Sequence, residues 1–78
     1  MFYAYILKLS NNEYYSGHTE NLKNRLREHI NGGVQATKPF LPLTLVNYSA
    51  FLTKYQAISI EKYLKSSSGK AFRNKRLI

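Results

Sequence analysis

The stretch "YYSGHTENLKNRLREH", residues 14–29, decides the fold because its hydrophobic period changes midway. The first part, as "EYYSGH", carries side chains that suit an extended strand. From Leu22 the pattern switches. Leu22, Leu26 and Ile30 recur at every fourth residue, the spacing of one helical face. Thr19 is placed to cap that helix, and Gly32-Gly33 to end it. The stretch is therefore expected to be a strand feeding directly into a basic amphipathic helix.

Upstream, "FYAYILKL" is apolar on both alternating faces, as in a central strand covered on both sides. "SNNE" is turn-forming, so residues 2–18 read as a hairpin. Downstream, "VQATKPFLP" is a loop punctuated by two prolines, and "LTLVNYSAF" is a third strand. "TKYQ" offers a capping box, Thr53 with Gln56, that opens a helix running to Lys65. "SSSG" interrupts it, and "KAFRNKRLI" predicts a short basic helix anchored by Phe72 and Leu77. The expected fold class is α/β: one domain over residues 1–78, a small α/β sandwich with a three-stranded antiparallel sheet flanked by helices.

Composition narrows the function. Twelve Lys and Arg oppose four Glu, with no Asp, giving a formal charge of +8. That is the footprint of a nucleic-acid binder, with an acidic protein or anionic membrane surface as the competing partner. The cations are spread over several segments and not gathered on one amphipathic helix, which favours nucleic acid. The chain has no cysteine, so disulfides and thiolate zinc sites are excluded. No apolar run approaches the ~20 residues that span a bilayer. The N-terminus also lacks the pattern of a secretory signal, so a cytoplasmic location is expected.

Arg25 and His29 are helical neighbours at the border of the apolar stripe. A guanidinium there could hold two oxygens of a phosphodiester in a fixed fork, or simply lay its stem over apolar surface. Tyr15 is the strand residue it would meet, with Gly17 leaving room on the same face. His29 could instead favour the helix dipole, and His18 could be an ordinary strand or turn residue. Tyr14, Tyr48, Tyr55 and Tyr63 read as packing residues. Glu61 falls on the apolar side of its helix, where a carboxylate needs a partner. It could pair with Lys65 at i+4 or hold a hard divalent cation. Glu13, Glu20 and Glu28 are placed in a turn, at a helix start and on an outer face, so a two-metal carboxylate cluster cannot be built.

Taken in order, these residues resemble the GIY-YIG endonuclease domain over nearly the whole chain. The two strand motifs of that family stand here as "YAY", Tyr3 to Tyr5, and "YSG", Tyr15 to Gly17. They are followed by "NRLREH" and "IEKYLK", and the tail "SSSGKAFRNKRL" is similar to that of the small stand-alone bacterial members. The resemblance implies Tyr5 and Tyr15 as active-site tyrosines, Arg25 as the catalytic arginine and His29 as a tyrosine's helper. It also implies Glu61 as the sole protein ligand of one Mg²⁺ or Mn²⁺, with Gly17 and Asn74 as auxiliary positions. The implied activity is metal-dependent DNA endonuclease, with structure-specific repair or recombination substrates among those the resemblance implies. The alternative is a nucleic-acid-binding module on the same scaffold. The departures at Tyr3, Ala4 and Ser16 fall at strand positions and leave the proposed site intact. Phosphate contacts are expected from Lys8, Lys38, Lys62, Lys65, Lys70, Arg73, Lys75 and Arg76, weakening steeply with salt. A protein partner could supply the sequence specificity that so small a domain lacks.

Overall fold

The computed structural model describes residues 1–78. β1 (Phe2–Lys8) and β2 (Tyr14–Thr19) form the hairpin, and Asn12 takes the positive φ of 66° in its turn. Asparagine tolerates that left-handed conformation better than most side chains. β3 (Thr44–Phe51) pairs with the other side of β1, so the antiparallel order is β2-β1-β3 and β1 is central as its pattern implies. β2 is an edge strand, and its register sets Tyr5 opposite Gly17 and Leu7 opposite Tyr15.

Side chains alternate across the sheet, so one face of β1 carries Tyr5 and Leu7, with Leu9 just past its end continuing the row. These three form a buried cluster against Tyr15, Leu22, Leu26, Phe40, Leu43 and Leu45. Ala4 and Ile6 point to the opposite face, where α2 (Lys54–Lys65) packs on β1 and β2. α1 (Leu22–Ile30) thus covers one face of the sheet and α2 the other.

Two local details correct the sequence reading of α1, and one bears it out. The N-cap of α1 is Asn21, whose side chain accepts from the Asn24 N–H at 3.1 Å. Thr19 instead accepts from the Asn21 N–H at 3.1 Å and fixes the turn before the helix. At the C-terminus Gly32, with φ of 78°, donates to His29 O while Gly33 donates to Glu28 O. This is the double bond of a Schellman stop. The inward stripe runs Leu22, Leu26, His29, and Ile30 turns away with 55% of its surface exposed. The helix therefore buries an i, i+4, i+7 face and not the i, i+4, i+8 face expected.

α3 (Ser67–Arg76) begins earlier than expected, because Ser66 caps it by accepting from Gly69 N–H at 3.1 Å. Gly69 is buried so close to the end of α2 that a Cβ there would overlap the Tyr63 carbonyl. The "SSSG" run is thus the first turn of a new helix packed on the last turn of the previous one. Phe72 leans on Tyr63 with ring centroids 6.1 Å apart and stays partly exposed, so it anchors α3 to α2 and not to the sheet core. Tyr48, Tyr55 and Tyr63 are likewise exposed, and Tyr48 packs on the sheet surface with its ring centroid 6.3 Å from that of Tyr3.

Candidate active site

The β2 edge is where residues from both faces of the sheet come together. Tyr5, on the central strand, extends across Gly17 of its neighbour. A Cβ at Gly17 would lie 2.5 Å from the Tyr5 Oη and 2.6 Å from its Cζ. The room that glycine leaves beside Tyr15 is therefore filled by Tyr5.

The phenol ends on the first helix. Tyr5 Oη lies 2.8 Å from His29 Nε2, and both side chains are buried, His29 completely. The other ring nitrogen, Nδ1, is 2.8 Å from Thr37 Oγ1, which lies in turn 3.4 Å from Val34 O. His29 is thus the middle of a buried polar line, not a residue serving the helix dipole. Tyr15 stands beside it, its ring centroid 5.4 Å away and nearly edge-on. The Arg25 guanidinium lies at the Tyr5 hydroxyl and also donates to Glu28 Oε2 at 3.1 Å. It is partly buried and retains an open side.

Charges follow from this packing. Burial raises the Tyr5 pKa and outweighs the opposing effect of Arg25, so the phenol is protonated at neutral pH. Burial, with help from Arg25, lowers the His29 pKa, so its imidazole is neutral there.

Glu61 approaches the same edge from the other face. His18, which shares that face with Tyr14 and Ser16, places Nδ1 2.6 Å from Glu61 Oε1. Lys65 Nζ donates to Oε2 at 2.9 Å. Burial acts to raise the Glu61 pKa, but the hydrogen bonds and charge of Lys65 and His18 outweigh it and hold the carboxyl ionised. The pairing with Lys65 weighed from sequence is present, and His18 is a second partner that sequence did not identify. The two faces meet at Lys65, whose Nζ lies 5.9 Å from the centre of the Tyr15 ring. An unbroken line of neighbours therefore runs from Glu61 through Lys65, Tyr15, His29 and Tyr5 to Arg25.

Asn74 is not part of this line. It accepts from Arg73 Nε at 3.1 Å in a polar groove of about 430 Å³, shared with Asn12, Glu13, Tyr14 and Lys70. There the Arg73 guanidinium stacks 4.8 Å above the Tyr14 ring. Lys8 on β1, Lys38 in the loop before β3, Lys62 on α2, and Lys75 and Arg76 on α3 are all exposed. A larger hollow of about 470 Å³, between α1 and the β3 side of the sheet, is lined mainly by Tyr3, Leu22, Leu26, Leu45 and Tyr48 and holds none of the site residues.

Two phenols, a guanidinium and an imidazole, from β1, β2 and α1, thus come together beside the edge strand, with one carboxylate beyond. Residues 1–76 match the family model of the GIY-YIG catalytic domain, and the chain belongs to that family. It is 40% identical over 78 residues to a UPF0213 protein of Clostridium perfringens, covering 99% of this chain and 80% of that one. It is 37% identical over 65 residues to a UPF0213 protein of Pediococcus pentosaceus, covering 82% and 68% respectively. The solution NMR structure of the UPF0213 protein BH0048 from Bacillus halodurans superposes with a TM-score of 0.60 at 30% identity, over 96% of this chain and 84% of that one. No helix is long and apolar enough to cross a membrane.

Proposed function

We propose that the chain is a divalent-metal-dependent endonuclease that hydrolyses DNA phosphodiester bonds at the β2 edge. The observation that carries this reading is the continuous line from Glu61 to Arg25, which spans both faces of the sheet and leaves Arg25 open to solvent. A binding module would have no use for a buried phenol–imidazole pair beside that guanidinium.

The donor set suits one kind of metal. Glu61 is a lone ionised carboxylate, and no group of three His, Cys, Asp or Glu surrounds it. Mg²⁺ and Mn²⁺ keep several waters and complete their shell with substrate phosphate, so one protein carboxylate suffices. Glu61 would hold the cation, displacing Lys65 from its oxygen, and His18 would steady the carboxylate. Such a cation supplies neutralising charge to the scissile phosphate and the leaving oxygen.

The remaining work falls to the side chains. Arg25 turns from Glu28 to the phosphate and balances the charge that builds on phosphorus. Tyr5 accepts a proton from the attacking water as its own proton passes to His29 Nε2. The water oxygen bonds to phosphorus, the P–O bond to the 3′ oxygen breaks, and solvent protonates that oxygen. The phenol thereby works without ever becoming a free phenolate, which its raised pKa would disfavour. Tyr15 packs against the imidazole and lines the approach.

The test is a nicking assay on plasmid and branched DNA with Mg²⁺ or Mn²⁺. Arg25→Ala and Glu61→Ala are each expected to lower the rate by about 10²–10³-fold. Wild-type turnover in both variants would refute the assignment. Tight DNA binding by the wild type without cleavage of any substrate would support the binding-module reading instead.

A further inference from the structure

We propose that Thr37 is a positioning residue that holds His29 in its Nδ1–H tautomer, leaving Nε2 as the acceptor for the Tyr5 proton. The inference rests on the relay proposed above and adds to it a residue from a loop outside every motif. Thr37 is completely buried, although threonine has no apolar reason to be. Its backbone N–H already donates to Val34 O at 3.1 Å, so the turn does not need its side chain.

The hydrogens can be assigned by satisfying every buried group. Arg25, beside the Tyr5 oxygen, is only a donor, so the Tyr5 hydrogen has no acceptor there. Its acceptor is His29 Nε2, at 2.8 Å. Nε2 must then be unprotonated, and the neutral ring carries its hydrogen on Nδ1. That hydrogen goes to Thr37 Oγ1 at 2.8 Å, and the threonine hydroxyl donates onward to Val34 O. The opposite tautomer would make Tyr5 an acceptor from Nε2–H and leave the phenol hydrogen without a protein acceptor. Every buried side-chain N and O atom has a partner, and only the first assignment also gives each of the hydrogens in this line a protein acceptor. When His29 takes the proton, the Nδ1–H bond to Thr37 persists and the imidazolium forms without rearrangement.

The test is side-chain ¹⁵N NMR of His29 in the labelled full chain, paired with cleavage rates and DNA affinity. In the wild type the proton is expected on Nδ1. Thr37→Val is expected to lose that single tautomer and to slow cleavage by about 10²–10⁴-fold, the range of general acid–base assistance, at unchanged DNA affinity. Thr37→Ser keeps the hydroxyl and is expected to retain both the tautomer and most of the rate. A wild-type proton on Nε2 would overturn the proposal, as would Thr37→Val cleaving at the wild-type rate or Thr37→Ser failing as badly as valine. If Thr37→Val does not fold, the wild-type tautomer and Thr37→Ser decide alone. If no substrate is ever cleaved, the endonuclease reading fails, yet the tautomer still decides the role of Thr37.

Discussion

Replacing Gly17 with alanine should damage the site and the fold together, because Tyr5 occupies the place of the missing Cβ. Non-bonded carbons sit at roughly 3.5–4.0 Å, so a Cβ at 2.6 Å from Cζ forces the phenol back by about 1 Å. Tyr5 is 2% exposed and has no open space to enter. A 1 Å retreat stretches the 2.8 Å bond to His29 towards the limit of a hydrogen bond. Overpacking costs about 1–3 kcal/mol and the weakened bond about 1 kcal/mol. Alanine returns roughly 0.4–1 kcal/mol by restricting the unfolded chain. The net loss is about 2 kcal/mol, a fall of roughly 8–16 °C in Tm for a domain of this size. Cleavage should fall about 10²-fold, as expected for a 1 Å displacement of a reacting group. Thermal melts and nicking rates on the same preparations measure both. Adding Tyr5→Phe removes Oη, so the double variant should lose less stability than the two single losses summed. A Gly17→Ala protein with unchanged Tm and full turnover would show that Tyr5 does not rely on the glycine.

Two further expectations concern stability. The His29 pKa lies below its ordinary 6.5 in the folded state, so its contribution is complete above pH 6.5 and is lost as pH falls below it. Glu61 has the same sign in a lower window, complete above its ordinary 4.5 and lost below it. Urea unfolding at pH 7.5, 6 and 5 should therefore show stability declining first through His29, and His29→Gln should flatten that first segment. An unchanged profile in the variant would refute the assignment. Separately, Gly69→Ala sets a methyl group against the Tyr63 carbonyl, which backbone on both sides holds in place. Destabilisation of about 3 kcal/mol is expected by equilibrium unfolding, with α3 released from α2. A near-neutral effect would mean that the two helices are not held that close.

How far the sequence reveals this molecule depends on whether a feature is local. The central strand, the hairpin, the glycine stop of α1, the Thr53 cap of α2 and the sheet topology are written in short-range patterns, and these are legible. Helix phase is less so. Ile30 is the more hydrophobic choice for the third stripe position, yet His29 is buried there because it bonds to Tyr5 and Thr37. A polar side chain with two buried partners can displace an apolar one from the inner face, and no periodicity records that. Thr37 is hidden for the same reason: its partner is eight residues away across a loop with no regular repeat.

His18 is the instructive middle case. Its alternation with Tyr14 and Ser16 places it on the face of β2 opposite Tyr15, and the apolar position of Glu61 places that carboxylate on the helix covering the same face. The two facts together imply the 2.6 Å contact, though neither does so alone. This contact also explains why one glutamate can stand half-buried in so basic a chain. His18 and Lys65 occupy its two oxygens from different elements, so releasing Lys65 to a cation would still leave the carboxylate held by His18. His18→Ala should therefore lower metal affinity, as loss of an orienting partner does, by roughly 10-fold or more. Titration of Mn²⁺ by isothermal calorimetry, with Glu61→Gln as the reference for a lost site, would measure that drop. An affinity unchanged from wild type would mean that Glu61 needs no orienting partner and that His18 serves only the fold.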